Sequence, residues 1–132
     1  MAATSGELLD HQHRITARAA RKEGVSDRAL LRAAQEIDVG LIDARLGGCL
    51  VKKRLARVGG GKRGGYRLII AYRQTDRVVC LFLFGKNERD NISSRELHAW
   101  LLVGEGYVSA PADQLAALVA AGELIEVTDD GG

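Results

Sequence analysis

The sequence predicts an α+β domain: a small antiparallel sheet of three to four strands, with an N-terminal helical hairpin and C-terminal helices packed on one of its faces. Three observations carry this. Apolar residues recur at helical spacing up to Gly40, alternate singly from Leu50 to Arg73, and return to helical spacing after Ser93. Val78–Phe84 is an unbroken apolar run of seven residues, the mark of a central strand covered on both faces. Finally, capping residues and glycines stand where these patterns change.

Residues 1–13 read as a flexible tail, 14–128 as a single domain and 129–132 as a second short tail. Arg14–Glu23 is rich in helix formers and runs into Gly24, a good residue to end a helix. Ser26-Asp27 offers the next N-cap, Leu30, Ala34, Ile37 and Leu41 follow at helical spacing, and Gly40 closes that helix. Leu50–Arg57 reads as a strand with Lys52, Arg54 and Ala56 on one side and Val51, Lys53 and Leu55 on the other. A glycine-rich loop, Val58–Gly64, leads into Gly65–Arg73, where Tyr66, Leu68, Ile70 and Tyr72 face away from Arg67, Ile69, Ala71 and Arg73. A turn at Gln74-Thr75-Asp76 gives the strand Arg77–Phe84 and completes an antiparallel meander. Ser93-Ser94-Arg95-Glu96 has capping-box spacing ahead of Leu97, Trp100 and Leu101. Pro111 opens a further helix with Leu115, Leu118 and Val119 inward and Gly122 at its end, and Leu124–Val127 adds a last short strand.

Charge divides the chain in three. Residues 45–95 hold thirteen Lys and Arg against three acids, a net +10, whereas residues 1–44 carry −1 and 96–132 carry −7. A basic middle on an acidic domain is the electrostatic footprint of a phosphate-backbone binder. No apolar run approaches membrane-spanning length, and the N-terminus lacks a basic-then-apolar signal, so the expectation is a cytoplasmic protein with no membrane partner. Cys49 and Cys80 are too few and too far apart for a metal motif, and His11, His13 and His98 do not assemble one. No metal or other cofactor is expected. Nor is the glycine-rich loop a nucleotide cradle: with Gly61-Lys62 in place, that motif requires glycine at 56 and Ser or Thr at 63, where this chain has Ala56 and Arg63.

Two motifs remain. Gly61-Lys62-Arg63-Gly64-Gly65-Tyr66-Arg67 sets two cations on a bendable loop and a third, Arg67, on a strand face, where rigid backbone positions it better than a loop does. Gly85-Lys86-Asn87-Glu88-Arg89-Asp90-Asn91 directly follows the central strand. There Lys86 and Arg89 are placed to hold phosphate, and Asn87 or Asn91 to bond a base edge or sugar.

At these motifs the chain resembles the RelE/ParE superfamily of bacterial toxins. It is closest to the HigB-like branch, in which a Gly-Lys-x-Gly-Gly-x-Arg hairpin is followed by Gly-Lys-Asn-Glu. The matching pieces are Leu50–Arg54, Gly61–Arg67, Lys86–Ile92 and Gly122–Val127, and the likeness runs from about Arg14 to Val127. The resemblance implies the toxin of a type II toxin–antitoxin pair, most often a ribosome-dependent mRNA endonuclease (an mRNA interferase) that inhibits translation. Its implied partners are mRNA, the ribosome and a cognate antitoxin, expected to be a helix-turn-helix protein. The superfamily's sheet-face arginine maps onto Arg67, and its basic pairs onto Lys52, Arg54, Lys62 and Lys86. Two positions depart from the best-studied RelE enzymes: Asn87 stands where they have arginine and Ser93 where they have tyrosine.

RNA cleavage by the 2′-OH needs a base, stabilisation of the phosphorane and an acid for the 5′-oxygen. The basic segment contains no histidine. Crowded cations disfavour one another's charge, which makes the lysines Lys52, Lys62 and Lys86 the candidates for proton transfer. Arg67 and Arg89 would brace the phosphorane. The expected catalytic set is therefore Arg67, Lys86, Arg89 and Lys62. The expected RNA-binding set is Lys52, Arg54, Arg57, Arg63, Tyr66, Asn87 and Asn91, with Tyr66 or Tyr72 stacking on a base and at least one of those two in the core. The competing expectation is a non-catalytic toxin or RNA-binding module of the same fold, in the manner of ParE-like inhibitors of a protein target.

Overall fold

The computed structural model describes the backbone of residues 13–17 together with residues 25–55, 65–73, 77–85 and 91–127. Its strands are β1 (His13–Ala17), β2 (Ala44–Gly47), β3 (Leu50–Leu55), β4 (Tyr66–Arg73), β5 (Arg77–Gly85) and β6 (Leu124–Glu126), and its helices α1 (Asp27–Asp38), α2 (Ser94–Ser109) and α3 (Ala112–Ala120). The strands pair in the order β2-β3-β4-β5-β1-β6. The α+β class holds: β3–β5 form the expected antiparallel meander, and β2 extends it to four antiparallel strands.

The unbroken apolar run becomes β5, which lies between β4 and β1 and is buried along nearly its whole length. Central placement follows from composition, because a strand without a polar face has to be covered on both sides.

The N-terminus departs from expectation. Where the helix formers of Arg14–Glu23 predict the first helix of a hairpin, residues 13–17 form β1, parallel to β5 (His13↔Arg77 to Thr16↔Cys80) and antiparallel to β6. Intrinsic helix preference amounts to tenths of a kcal/mol per residue. The free edge of a buried apolar strand outweighs it, and Ile15-Thr16 are β-branched residues that suit pairing. Residues 18–24, including the expected cap at Gly24, lie outside the described residues. Strand β2 was also not anticipated: only four residues long, it forms a hairpin with β3 through a turn at Gly48-Cys49, where Gly48 has φ +50°.

Helices cover both faces of the sheet rather than one. Leu30, Ala33, Ala34 and Ile37 of α1 pack with Val51, Leu55, Tyr66, Leu68, Ile70, Val78, Cys80 and Leu83. On the opposite face Leu97, Trp100 and Leu101 of α2 pack with Leu50, Ile69, Ala71, Val79, Leu81 and Phe84. Strand alternation therefore splits one apolar composition into two cores. Leu41, expected inward, is exposed beyond the end of α1.

Helix boundaries follow the predicted punctuation. Ser26 accepts from Ala29 N at 3.1 Å. Ser93 Oγ accepts from Glu96 N at 3.1 Å while Ser93 N donates to Glu96 Oε1 at 2.9 Å, a complete capping box. Gly40 and Gly122 end α1 and α3 at φ +88° and +80°. Each sits in a 6→1 and 5→2 hydrogen-bonded turn, Leu41 N to Glu36 O with Gly40 N to Ile37 O, and Glu123 N to Leu118 O with Gly122 N to Val119 O.

The seat of α2 on the sheet is set by Gly104. A Cβ there would stand 3.1 Å from Ala71 Cβ and from Leu50 Cδ2. Gly104→Leu is therefore expected to push the helix off β3 and β4 and to cost about 2–3 kcal/mol. A urea midpoint equal to that of the parent protein would contradict the close seat.

Candidate functional site

The register of β3, β4 and β5 arranges the α2-side face of the sheet in three rows. The first is Leu50–Ala71–Val79, entirely apolar and beneath Gly104. The second is Lys52–Ile69–Phe82, and the third Arg54–Arg67–Phe84. Successive rows lie about 7 Å apart along the strands. Beyond the third row, Leu55, Tyr66 and Gly85 pair in line at the end of the sheet. In sequence that end is where Val58–Gly64 joins β3 to β4, and where Lys86 follows β5.

Three of the expected cations thus share one surface. Arg54 and Arg67 are direct cross-strand partners, Arg54 exposed and Arg67 half-buried, with half-buried Lys52 one row away. Among the described residues none of the three has an ion pair or a side-chain hydrogen bond. Like charges directly opposed on a sheet are destabilising, and with no acid among the described residues to offset them they suit an anion.

The other basic residues of the segment separate cleanly from these. Lys53, on the α1 side, is 8% exposed and its Nζ lies 2.7 Å from Glu36 Oε1 and 2.8 Å from Leu41 O. Arg73 donates to Val108 O at 2.6 Å, and Arg77, 4% exposed, donates to Tyr107 O at 2.8 Å and Val108 O at 3.2 Å. Those carbonyls belong to the last turn of α2, which contains no basic residue of its own. The two arginines cap the helix from the sheet and meet the negative end of its dipole. These are fold-holding cations, and the net charge of the segment counts them together with the free ones. The sequence carries a signal for Lys53, a lone cation between Val51 and Leu55 on an apolar face, and for Arg77 at the mouth of the apolar run.

Of the remaining expected site residues, Tyr66 has to be corrected. It is 8% exposed within the α1-side core beside Leu55 and Leu68, across the sheet from Arg67, so its ring is not presented to a base on the cationic face. Alternation accounts for this, since 66 and 67 point to opposite sides. Asn91 is exposed ahead of α2, and its Oδ1 accepts from Ile92 N at 2.9 Å. Arg57, Lys62, Arg63, Lys86, Asn87 and Arg89 lie outside the described residues.

The aromatic members of the face were not anticipated. Leu81 is an extra residue between the pairs Ile70↔Cys80 and Ile69↔Phe82, a β-bulge in the central strand. It resets alternation so that Phe82 and Phe84 join the cationic rows. Phe82 stacks on Trp100 of α2, with ring centroids 5.4 Å apart and planes at 22°, and lies 5.9 Å from Phe84. A run as uniformly apolar as Val78–Phe84 gives no sign in sequence of where a bulge falls.

No group of His, Cys, Asp or Glu among the described residues is arranged to hold a metal ion. No described helix is long and apolar enough to cross a membrane. The thiols are not nucleophiles near neutrality: burial pushes Cys80 up to about 12, and burial with the neighbouring Glu105 carboxylate pushes Cys49 up to about 11, from an ordinary 9.0. Tyr72 and Tyr107 are also raised, chiefly by burial and then by Asp38 and Glu123 respectively. All four groups hold their protons more tightly folded than unfolded. Their contribution to stability is therefore intact below the unfolded values and lost as pH rises through the folded ones. The urea midpoint is expected to fall between pH 9 and 12; a midpoint constant over that window would exclude this linkage.

No individual curated protein matches the chain. A family model does, that of the RelE toxin of the RelE/RelB toxin–antitoxin system, over residues 11–127. The matched span takes in every described strand and helix and all three rows of the cationic face. The chain belongs to the RelE toxin family, and is the toxin member of a toxin–antitoxin system.

Proposed function

We propose that this toxin is a ribosome-dependent mRNA endonuclease of the HigB-like branch, acting in the cytoplasm and neutralised by a cognate antitoxin, expected to be a helix-turn-helix protein. The observation that carries the reading is the Arg54–Arg67 pair, uncompensated among the described residues, with Lys52 beside it on a rigid sheet face. Planar guanidiniums suit the equatorial oxygens of a phosphorane, and fixed donors there need no reorganisation as charge develops. Arg67 fills that role. Lys52 and Arg54 hold the backbone on either side, while the roles of proton transfer and further phosphate contact fall to Lys62, Lys86 and Arg89, which adjoin this end of β4 and β5 in sequence. A site without histidine is a weak catalyst on free RNA, which suits an enzyme whose substrate is oriented by the ribosome.

The test is inducible expression with and without the antitoxin, read by growth and by mapping of mRNA 5′ ends. New ends confined to translated frames, absent when the antitoxin is co-expressed, are expected. Growth arrest without such ends would overturn the nuclease reading in favour of a non-catalytic toxin acting on a protein target.

A further inference from the structure

The bulge in β5 has an effect that the cationic surface by itself does not require. Regular alternation from Val79 and Leu81 would leave the α2 side of β5 with aliphatic residues and turn Phe82 and Phe84 toward α1. The extra residue instead brings both rings into line with Lys52–Ile69 and Arg54–Arg67. Bulges gather beside functional sites because they re-aim side chains. Of the nine residues in β5 only Phe82 is less than fully buried. Its partner in the stack, Trp100, is also only half-buried. Both rings pack against the α2-side core and still keep aromatic surface in solvent, one row from Arg54 and Arg67.

We propose that Phe82 and Trp100 form a stacking shelf for a nucleobase of single-stranded RNA, whose flanking phosphates lie on Lys52, Arg54 and Arg67. The proposal rests on the RNA reading above and names where the base goes. Three features fit. Aromatic faces bind bases of any sequence, with cations tracking the backbone beside them. The shelf and the Arg54–Arg67 row are about 7 Å apart, roughly one extended nucleotide. The platform is held from two sides, by the central strand under Phe82 and by α2, which carries Trp100 and is capped by Arg73 and Arg77 at its far end. Tyr66, buried on the other side of the sheet, is replaced in the stacking role.

Trp100 is the only tryptophan in the chain, so its emission reports the shelf directly in the unmodified protein. The full chain is titrated with a short 2′-O-methyl RNA, which cannot be cleaved, and with an abasic oligomer of equal length and charge. Both carry a dye, so that binding is read by anisotropy independently of tryptophan emission. The expected result is binding of both, tighter for the base-containing strand by about tenfold, with Trp100 emission quenched by that strand alone. Trp100→Phe is expected to keep the base preference within threefold and Trp100→Leu to lose it, circular dichroism certifying the fold of each. Equal binding of the two oligomers with unchanged emission would overturn the shelf and leave the RNA reading standing. Binding of neither, together with no new mRNA 5′ ends on induction, would overturn both.

Discussion

Arg67→Ala is expected to abolish growth arrest and to slow mRNA cleavage by a hundredfold or more, while the protein stays folded and is no less stable. The opposite signs follow from the position. Arg67 faces Arg54 across the β3–β4 ladder, and neither has an acidic partner among the described residues. Removing one of two directly opposed charges relieves repulsion of a few tenths of a kcal/mol, so the urea midpoint should hold or rise slightly. A structural arginine behaves otherwise, since its loss strands a partner. Growth, end mapping and urea denaturation of one variant therefore separate the two roles. Retained toxicity with a lowered midpoint would show that Arg67 supports the fold and that the reacting phosphate lies elsewhere. Arg67→Lys sharpens the result: charge is kept but the planar fork is lost, and intermediate activity is expected.

Arg77→Met should behave in the reverse manner, losing about 2–4 kcal/mol of stability. Methionine fills much of the same space on β5. It cannot donate to Tyr107 O and Val108 O, which now receive the Arg77 guanidinium at 2.8 and 3.2 Å. Loss of a buried donor leaves the last turn of α2 with partly buried carbonyls short of a partner, and removes a cation from the negative end of the helix. Arg73, which shares Val108 O, limits the damage, so the double variant should exceed either single one. Urea denaturation followed through Trp100 emission measures this. A midpoint shift below that expected of an ordinary surface substitution would refute the capping role.

These two arginines also mark what the sequence made legible. Position 67 is readable because alternation sets it opposite Tyr66 and because the glycine-rich hairpin draws attention to it. Position 77 is readable only as a charge at the edge of an apolar run, since its partners lie thirty residues away at a helix end. Caps were legible down to individual bonds at Ser26, Ser93, Gly40 and Gly122, as such signals depend on neighbours within five residues. Strand β1 was not, because its pairing is decided by β5 and β6 rather than by its own composition. The Phe82–Trp100 stack was hidden for a different reason: it depends on a one-residue slip inside a strand whose residues are all apolar.

The place of β1 in the sheet bears on when the toxin can become whole during synthesis. β1 is made before every other described element, yet its hydrogen-bonding edges await β5 and then β6, with Ile15 pairing to Glu126. Closing so long a loop is slow, and the entropy is spent before the contact compensates it. While residues beyond Gly122 are still inside the ribosome, β6 cannot pair and one edge of β1 stays open. The antiparallel strands β2–β5 and their arginines, by contrast, need only contacts close in sequence. The strands that carry the cationic face are all available for pairing before β6 is, so the β6 edge of β1 is the last in the sheet to be covered.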